Sequence, residues 1–465
     1  MRLLVVLILI VCCSVTACKK DSFITGSDAT LSLSEDSLHF DTVFTTAGSV
    51  TQYFIVYNTN NRRLRLSNVS LAGGNTSYFK INIDGTPGPS VQDVEINAND
   101  SVYVFLSVKI DPTSANLPFI VQDSISIDYN GNRRWVKLSA WGQNANFIRS
   151  GVIKGNQTWT NQKPYVIIGG LQVDTNASLT IEKGSRIYLH ADAPFIVDGT
   201  LQVNGEHYDS TRVVFQGDRL DAPYRNYPAS WPGIYFRGLS SNNVLHYAVI
   251  KNAYQGIVAD QPSVNAARKL SLNECIIDNC YDAGIMGIRS SIHAQNCLIS
   301  NCGKNVLLTY GGQYDFAHCT VATYSSSYIS HKDPVLFAAD YIKQNNTYFT
   351  ADLSASFVNC IFWGENGTID DEVVTSKQGN TNFSVSFQNC LWKVKNNPAN
   401  SIFSNIIANT APAFDSIDVQ HHYYDFHLKS TSPVLQQGAA TTLATDLDGK
   451  PRNLLKPDLG CYQKQ

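Results

Sequence analysis

Two stretches of this chain repeat each other at a fixed interval. Cys275-Ile276-Ile277-Asp278-Asn279-Cys280 returns 22 residues later as Cys297-Leu298-Ile299-Ser300-Asn301-Cys302. A repeat of this length is one structural rung. It cannot bury its apolar face alone and must stack on copies of itself. Ala248-Val249-Ile250-Lys251-Asn252 matches from upstream. His318-Cys319-Thr320-Val321, Asn359-Cys360-Ile361-Phe362 and Asn389-Cys390-Leu391-Trp392 follow at spacings of 22, 41 and 30. Asn252, Asn279 and Asn301 fall in register. Asparagine tolerates the left-handed conformation of tight turns, and stacked amides can hydrogen-bond along a ladder. These residues are read as turn and interior, not as a site. The long intervals after Cys319 and Cys360 carry insertions, which in a solenoid become side loops suited to binding.

Upstream of the repeat, strands of three to six residues alternate with turns rich in Gly, Asn or Asp. Leu179-Thr180-Ile181, Ile187-Tyr188-Leu189, Phe195-Ile196-Val197, Leu201-Gln202-Val203 and Ile234-Tyr235-Phe236 are examples. No room exists for helical crossovers, so parallel pairing must come from coiling, each coil stacking about 4.8 Å above the last. This run resembles the opening coils of right-handed, pectate-lyase-like parallel β-helix proteins. The resemblance implies a solenoid over residues 147–430, roughly ten coils at about 24 residues each. Ser432-Pro433 through Gly438, Asp446-Leu447-Asp448-Gly449 and Asp458-Leu459-Gly460-Cys461-Tyr462 resemble the C-terminal segment of secreted β-helix proteins. Residues 431–465 are therefore expected to cap the open end of the solenoid.

Residues 28–146 read differently. About eight short runs with period-two alternation, such as Ser124-Ile125-Ser126-Ile127, are separated by turns such as Asn130-Gly131-Asn132. That pattern predicts a β-sandwich. Phe54 to Asn58, Leu64 to Val69 and Tyr78-Phe79-Lys80-Ile81 resemble the immunoglobulin-like domains grouped with spindle-associated and hydin-like proteins. Such modules space or bind. The whole chain is thus expected to be all-β, an N-terminal β-sandwich followed by a right-handed parallel β-helix.

The N-terminus reads as a secretory signal over residues 1–17. Arg2 precedes an apolar run from Leu3 to Val15, too short to span a bilayer. Val15-Thr16-Ala17-Cys18 resembles the bacterial lipobox, which implies lipidation of Cys18. Each buried methylene of an acyl chain contributes about 0.8 kcal/mol of anchoring. Residues 18–27 read as a tether and resemble the start of Bacteroidota outer-membrane lipoproteins. A cell-envelope location on the outer membrane is expected, with the membrane as partner. The sequence does not say whether the protein faces the periplasm or the exterior. Removing Cys12, Cys13 and Cys18 from eleven cysteines leaves eight. Five of them recur at one position of the rung, which favours buried thiols over disulfides.

Charged residues make up 16% of the chain, and the net charge is −3. That offers no basic surface for nucleic acid. Two loops gather groups suited to a glycan. The first holds Asp218, Arg219, Asp221, Tyr224, Arg225 and Trp231, whose rings can stack on sugar faces. The second, residues 322–356, holds Tyr324, Tyr328, His331, Lys332 and Tyr341. No catalytic residue and no cofactor are assigned. Asp370-Asp371-Glu372 offers carboxylates for Ca²⁺ but no converging ligands, and Asp446-x-Asp448-Gly449 lacks Ca²⁺-loop spacing. The Asn-Thr-Asp, Gly-Asp-Asp, Gly-His-Gly and Arg-Ile-Lys segments of polygalacturonases are absent. So are the Trp-Ile-Asp-His and Arg-x-Pro-x-x-Arg segments of pectate lyases and the Asp-Pro-His-Asp of alginate epimerases. The leading reading is non-catalytic binding of a glycan or envelope partner. A polysaccharide lyase or hydrolase using Asp218, Arg225 or the His331–Asp340 loop is the alternative, and a structural adhesin is the third.

Overall fold

The computed structural model describes residues 22–44, 49–110 and 119–465. Cys18 and the segment expected to be a signal lie outside them. The chain separates into two compact units between Asn144 and Ala145.

The first unit is a sandwich of two five-stranded sheets. One sheet orders Leu31–Leu33, Gln52–Asn58, Ser101–Val108, Phe79–Ile83 and Thr86–Pro87. The other orders Ser37–Phe44, Asn132–Gln143, Phe119–Tyr129, Leu64–Leu71 and Ser90–Ile96. Alternation decides what is inside. Phe54, Val56, Val104 and Leu106 are buried, while Tyr53, Tyr103 and Phe105 between them face out. Asn130 and Gly131 have φ of 47° and 79°, joining paired Tyr129 and Asn132 in a two-residue turn. Positive φ at both positions is what such a hairpin demands, and Asn-Gly supplies it at least cost.

The second unit is a parallel β-helix built from one 26-stranded sheet. Each coil contributes strands to three faces. The first face begins with Asn156–Trp159, Ser178–Glu182, Thr200–Asn204, Asn243–His246 and Leu270–Asn273. The second runs through Arg186–Leu189, Val213–Gly217, Ala248–Lys251, Ile276–Asp278, Leu298–Ser300, Thr320–Tyr324, Ile361–Glu365 and Leu391–Trp392. The third includes Phe195–Val197, Ile234–Phe236, Gln255–Asp260, Leu336–Ala339 and Val373–Ser376.

Corners are set by backbone sign. Asn296, His318, Asn359 and Asn389 hold positive φ where the first face turns into the second. Asn252, Asn279 and Asn301 do so after the second face. There Asn279 Nδ2 donates to Asn252 Oδ1 at 2.8 Å, one step of the expected amide ladder. All eight described cysteines are free and buried. The thiols of Cys275, Cys297, Cys319, Cys360 and Cys390 form a column, each reaching a carbonyl of the coil before it, such as Leu272 O at 3.6 Å from Cys297. Beside this column, three residues earlier on the same coils, stack Phe316, Phe357 and Phe387.

The C-terminal segment does not cover an open end. A hairpin of Phe414–Asp418 and Tyr423–Leu428 leads into a strap that runs back along the outside of the second face. Val434, Leu447, Leu459 and Tyr462 pack on outward-facing Leu298, Tyr324, Ile361, Trp363 and Leu391. The outer positions of these rungs are apolar, so the flank rather than the tip needs cover. The strap is fastened at both ends. Asn389 Nδ2 donates to Gln437 O at 2.7 Å, and Arg212 donates to Leu447 O at 3.0 Å.

Candidate functional site

The first face offers a groove of about 890 Å³. Its outward side chains alternate with the core ladder, so Ser271, His293, Asp315, Ser356 and Ser386 share one solvent-facing row. One wall is the loop of residues 262–268, the other the chain near Thr350 to Ser354. Arg268 bridges the groove by donating to Gln313 Oε1 and Asp315 Oδ2, both at 2.5 Å. Arg289 stands at a corner with φ of 49°. Its guanidinium lies 5.3 Å from the Tyr310 ring and has no ion-pair partner among the described residues. Asp352 accepts from Asn382 N and Nδ2 at 3.0 and 3.1 Å. The groove is therefore a polar trough with hydroxyls, amides and one uncommitted cation. Of these residues only Ser356 and the wall from Thr350 to Ser354, Asp352 among them, fall within the second insertion, and none is among the candidates the sequence offered. Arg268 and Arg289 were missed.

The two sequence-predicted loops converge on the opposite flank. Tyr227 of the first meets Tyr328 of the second at a ring distance of 4.9 Å, and Tyr328 stacks on His422 of the C-terminal hairpin at 5.1 Å. Beneath lies a cleft of about 100 Å³ lined by Asn226, Lys251, Asp278, Ser326, His422 and Tyr424 together with the three corner asparagines. Lys251 and Asp278 are register partners on adjacent strands of the second face. Burial pushes the Asp278 carboxyl above its ordinary range, against hydrogen bonds from Ser300 Oγ at 2.7 Å and Asn301 Nδ2 at 3.2 Å. Burial likewise lowers the Lys251 ammonium. The repeat read as turn and interior thus also supplies the floor of a cleft, through its outward positions.

Other expected glycan contacts are placed differently. Trp231 is 1% exposed and donates its indole N–H to Lys251 O at 2.9 Å, so no sugar can stack on it. The chain re-enters the core there through Gly233 at φ of 131°, where a Cβ would sit 1.7 Å from Gln255 O. Tyr324 is 7% exposed beneath Tyr424 and Phe426. His331 is 2% exposed, its Nε2 lying 2.8 Å from Glu372 Oε1. Tyr324 packs under the C-terminal hairpin and His331 is buried against Glu372, so neither presents an open ring face to a sugar. Asp218 lies 2.7 Å from His190 Nδ1. Arg219 clasps Asp221 at 2.8 and 3.0 Å, and its guanidinium rests 3.9 Å from the Tyr224 ring. Arg225 follows on the same turn and gives its carbonyl to Asn252 Nδ2. Lys332 is exposed, and Tyr341 pairs with Tyr348 and Ser376. Asp371 receives the N–H groups of Lys395 and Asn396, so this run closes a turn. Among the described residues no three His, Cys, Asp or Glu converge to hold a metal.

No family model matches the chain, and no curated protein matches it. Partial likenesses to solved structures exist. A family 123 glycoside hydrolase from Clostridium perfringens shares 11% identity at a TM-score of 0.20, covering 27% of this chain and 30% of that one. A Porphyromonas gingivalis W83 protein of unknown function shares 12% at 0.19, covering 27% and 60%. The ASH/PapD-like domain of human CEP192 shares 9% at 0.18, covering 26% and 89%. At these scores none carries an argument. The class rests on the coordinates: an all-β protein with a sandwich and a parallel β-helix.

Proposed function

We propose that this chain is a lipid-anchored cell-envelope protein, held by Cys18, that binds a glycan strand along its β-helix without transforming it. The groove of about 890 Å³ on the first face carries this reading. It is long, polar and lined by Asn265, Arg268, Arg289, Gln313 and Asn382, groups that exchange hydrogen bonds with sugar hydroxyls. The two carboxylates at the groove are both engaged, Asp352 by Asn382 and Asp315 by Arg268. That arrangement favours holding over acid–base chemistry, which requires an available acid and base at the reacting bond. The enzyme reading also loses support from the burial of His331 and the pairing of Asp218 with His190.

Affinity electrophoresis or calorimetry of the full chain against a panel of neutral and acidic polysaccharides tests it. Binding without new reducing or unsaturated ends is expected. Changing Arg268 and Arg289 together to alanine should weaken it by about tenfold or more. Absence of binding across the panel, or release of products, overturns the proposal.

A further inference from the structure

We propose that the cleft over Lys251 and Asp278 is a second ligand site, separate from the groove, which seats the hydroxyl-bearing edge of a single sugar ring. Three segments distant in sequence close it. Asn226 comes from the first loop, Ser326 from the second, and His422 and Tyr424 from the C-terminal hairpin. A volume of about 100 Å³ admits a few waters or one edge of a ring, not a polymer chain.

The chemistry of the walls fits that edge. The Tyr424 hydroxyl is buried and has no hydrogen-bond partner. Buried hydroxyls are normally satisfied, so an orphan that lines a cleft marks a place for an incoming polar group. Asp278 Oδ1 accepts from Ser300 and Asn301, while the Lys251 ammonium forms no ion pair with it despite sharing its register. One acidic and one basic group are therefore held side by side without neutralising each other directly. A sugar hydroxyl both donates and accepts, so neighbouring hydroxyls can serve Asp278, Lys251 and Tyr424 together. Burial disfavours the charged form of both Asp278 and Lys251, and hydroxyl partners would relieve that. Tyr227, tilted at 56° against Tyr328, and Tyr328, stacked on His422, form an aromatic rim against which the apolar side of a ring can rest.

The test is saturation-transfer NMR and calorimetry of the full chain with glucose, galactose, mannose and N-acetylglucosamine. At least one should bind in the millimolar range, near the affinity of about −4 kcal/mol that few contacts supply. Asp278→Asn should weaken that binding about tenfold. Tyr424→Phe should weaken it about fivefold while leaving the melting temperature unchanged or raised, because the lost hydroxyl has no partner in the free protein. Arg268→Ala should leave it unchanged, which separates this site from the groove. No binding by any of the four sugars at about 50 mM overturns the proposal, as does undiminished binding in both cleft variants. A fall in melting temperature for Tyr424→Phe also overturns it.

Discussion

Replacing Phe357 by alanine should be among the most damaging single changes in the β-helix. Phe357 is 1% exposed. Its ring stacks on Phe387 at 4.8 Å and 12°, and on Phe316 at 5.4 Å and 27°, while the Phe362 edge meets it at 5.6 Å. Emptying a buried phenylalanine position costs about 3–5 kcal/mol, because the neighbours collapse only partly. Each aromatic pair adds about 0.5–1.5 kcal/mol beyond area, though losses at one position overlap. The stacked strands above and below are locked in parallel register and cannot close the gap, which puts the expectation near the upper end, about 4–5 kcal/mol. Urea unfolding followed by tryptophan fluorescence measures this, and Trp392, 5.3 Å from Phe387, reports locally. Hydrogen exchange should show protection lost first in Lys304–Ala317 and Phe383–Gln388, the strands that flank the gap. A loss under about 1 kcal/mol would refute the picture of a rigid, close-packed column.

Three further expectations follow from buried or bridging groups. Burial and the nearby Arg452 lower His318 to about 3, so it stays neutral inside while the unfolded chain takes up a proton near the ordinary histidine value. Between those values the unfolded state binds more protons, so stability falls as pH falls. His318→Asn, the residue found at the same corner in the neighbouring coils, should flatten that slope in denaturation at pH 4 to 7. His427 lies 2.8 Å from Asp448 and 2.5 Å from Asp425, which raises it, and Asp448 is lowered in turn. The His427 contribution is complete below its unfolded value and lost as pH rises through the raised one. The Asp448 contribution is present above its unfolded value and lost as pH falls through the lowered one. Protection of the strap should thus peak in mildly acidic buffer and decline above neutrality, and His427→Gln should remove the alkaline decline. Burial holds the thiols of Cys297, Cys302, Cys319 and Cys360 well above their usual range. A disulfide reagent should label none of them in the folded protein. The eight described cysteines should all appear on unfolding without reductant. Fewer than about two would refute the thiol column.

The coil was legible in the sequence because stacking imposes identity. Cys297 must resemble Cys275, and Asn301 must resemble Asn279, since each occupies the same corner or column. The outer positions obey no such rule. Lys251 and Asp278 alternate with Ile250 and Ile277, and read singly they look like solvated polar residues. Their opposite charges at matching positions were the available signal. Arg268 and Arg289 become neighbours of one groove only through the pitch of the helix, which a linear reading does not supply. Trp231, Tyr324 and His331 misled because loops rich in aromatics can either present rings or tuck them in. The strap was misplaced for a related reason. Leu298, Ile361 and Leu391 point away from the solenoid interior, yet in sequence they are indistinguishable from core residues. Nothing local shows that a distant segment covers them.

The strap also alters the order in which the chain can be completed. A solenoid ordinarily adds coils one after another, each needing only its predecessor. Here Arg212 awaits the carbonyl of Leu447, and Asn296 awaits both the carbonyl of Thr445 and the guanidinium of Arg452. Early coils reach their final state only after the last residues have doubled back along the flank. Contacts of such long sequence separation slow folding. Until they form, a strip of leucine, isoleucine and tryptophan on the flank lies bare. Folding of this chain therefore carries its greatest aggregation hazard late, when the coils are already stacked and the final segment has yet to dock.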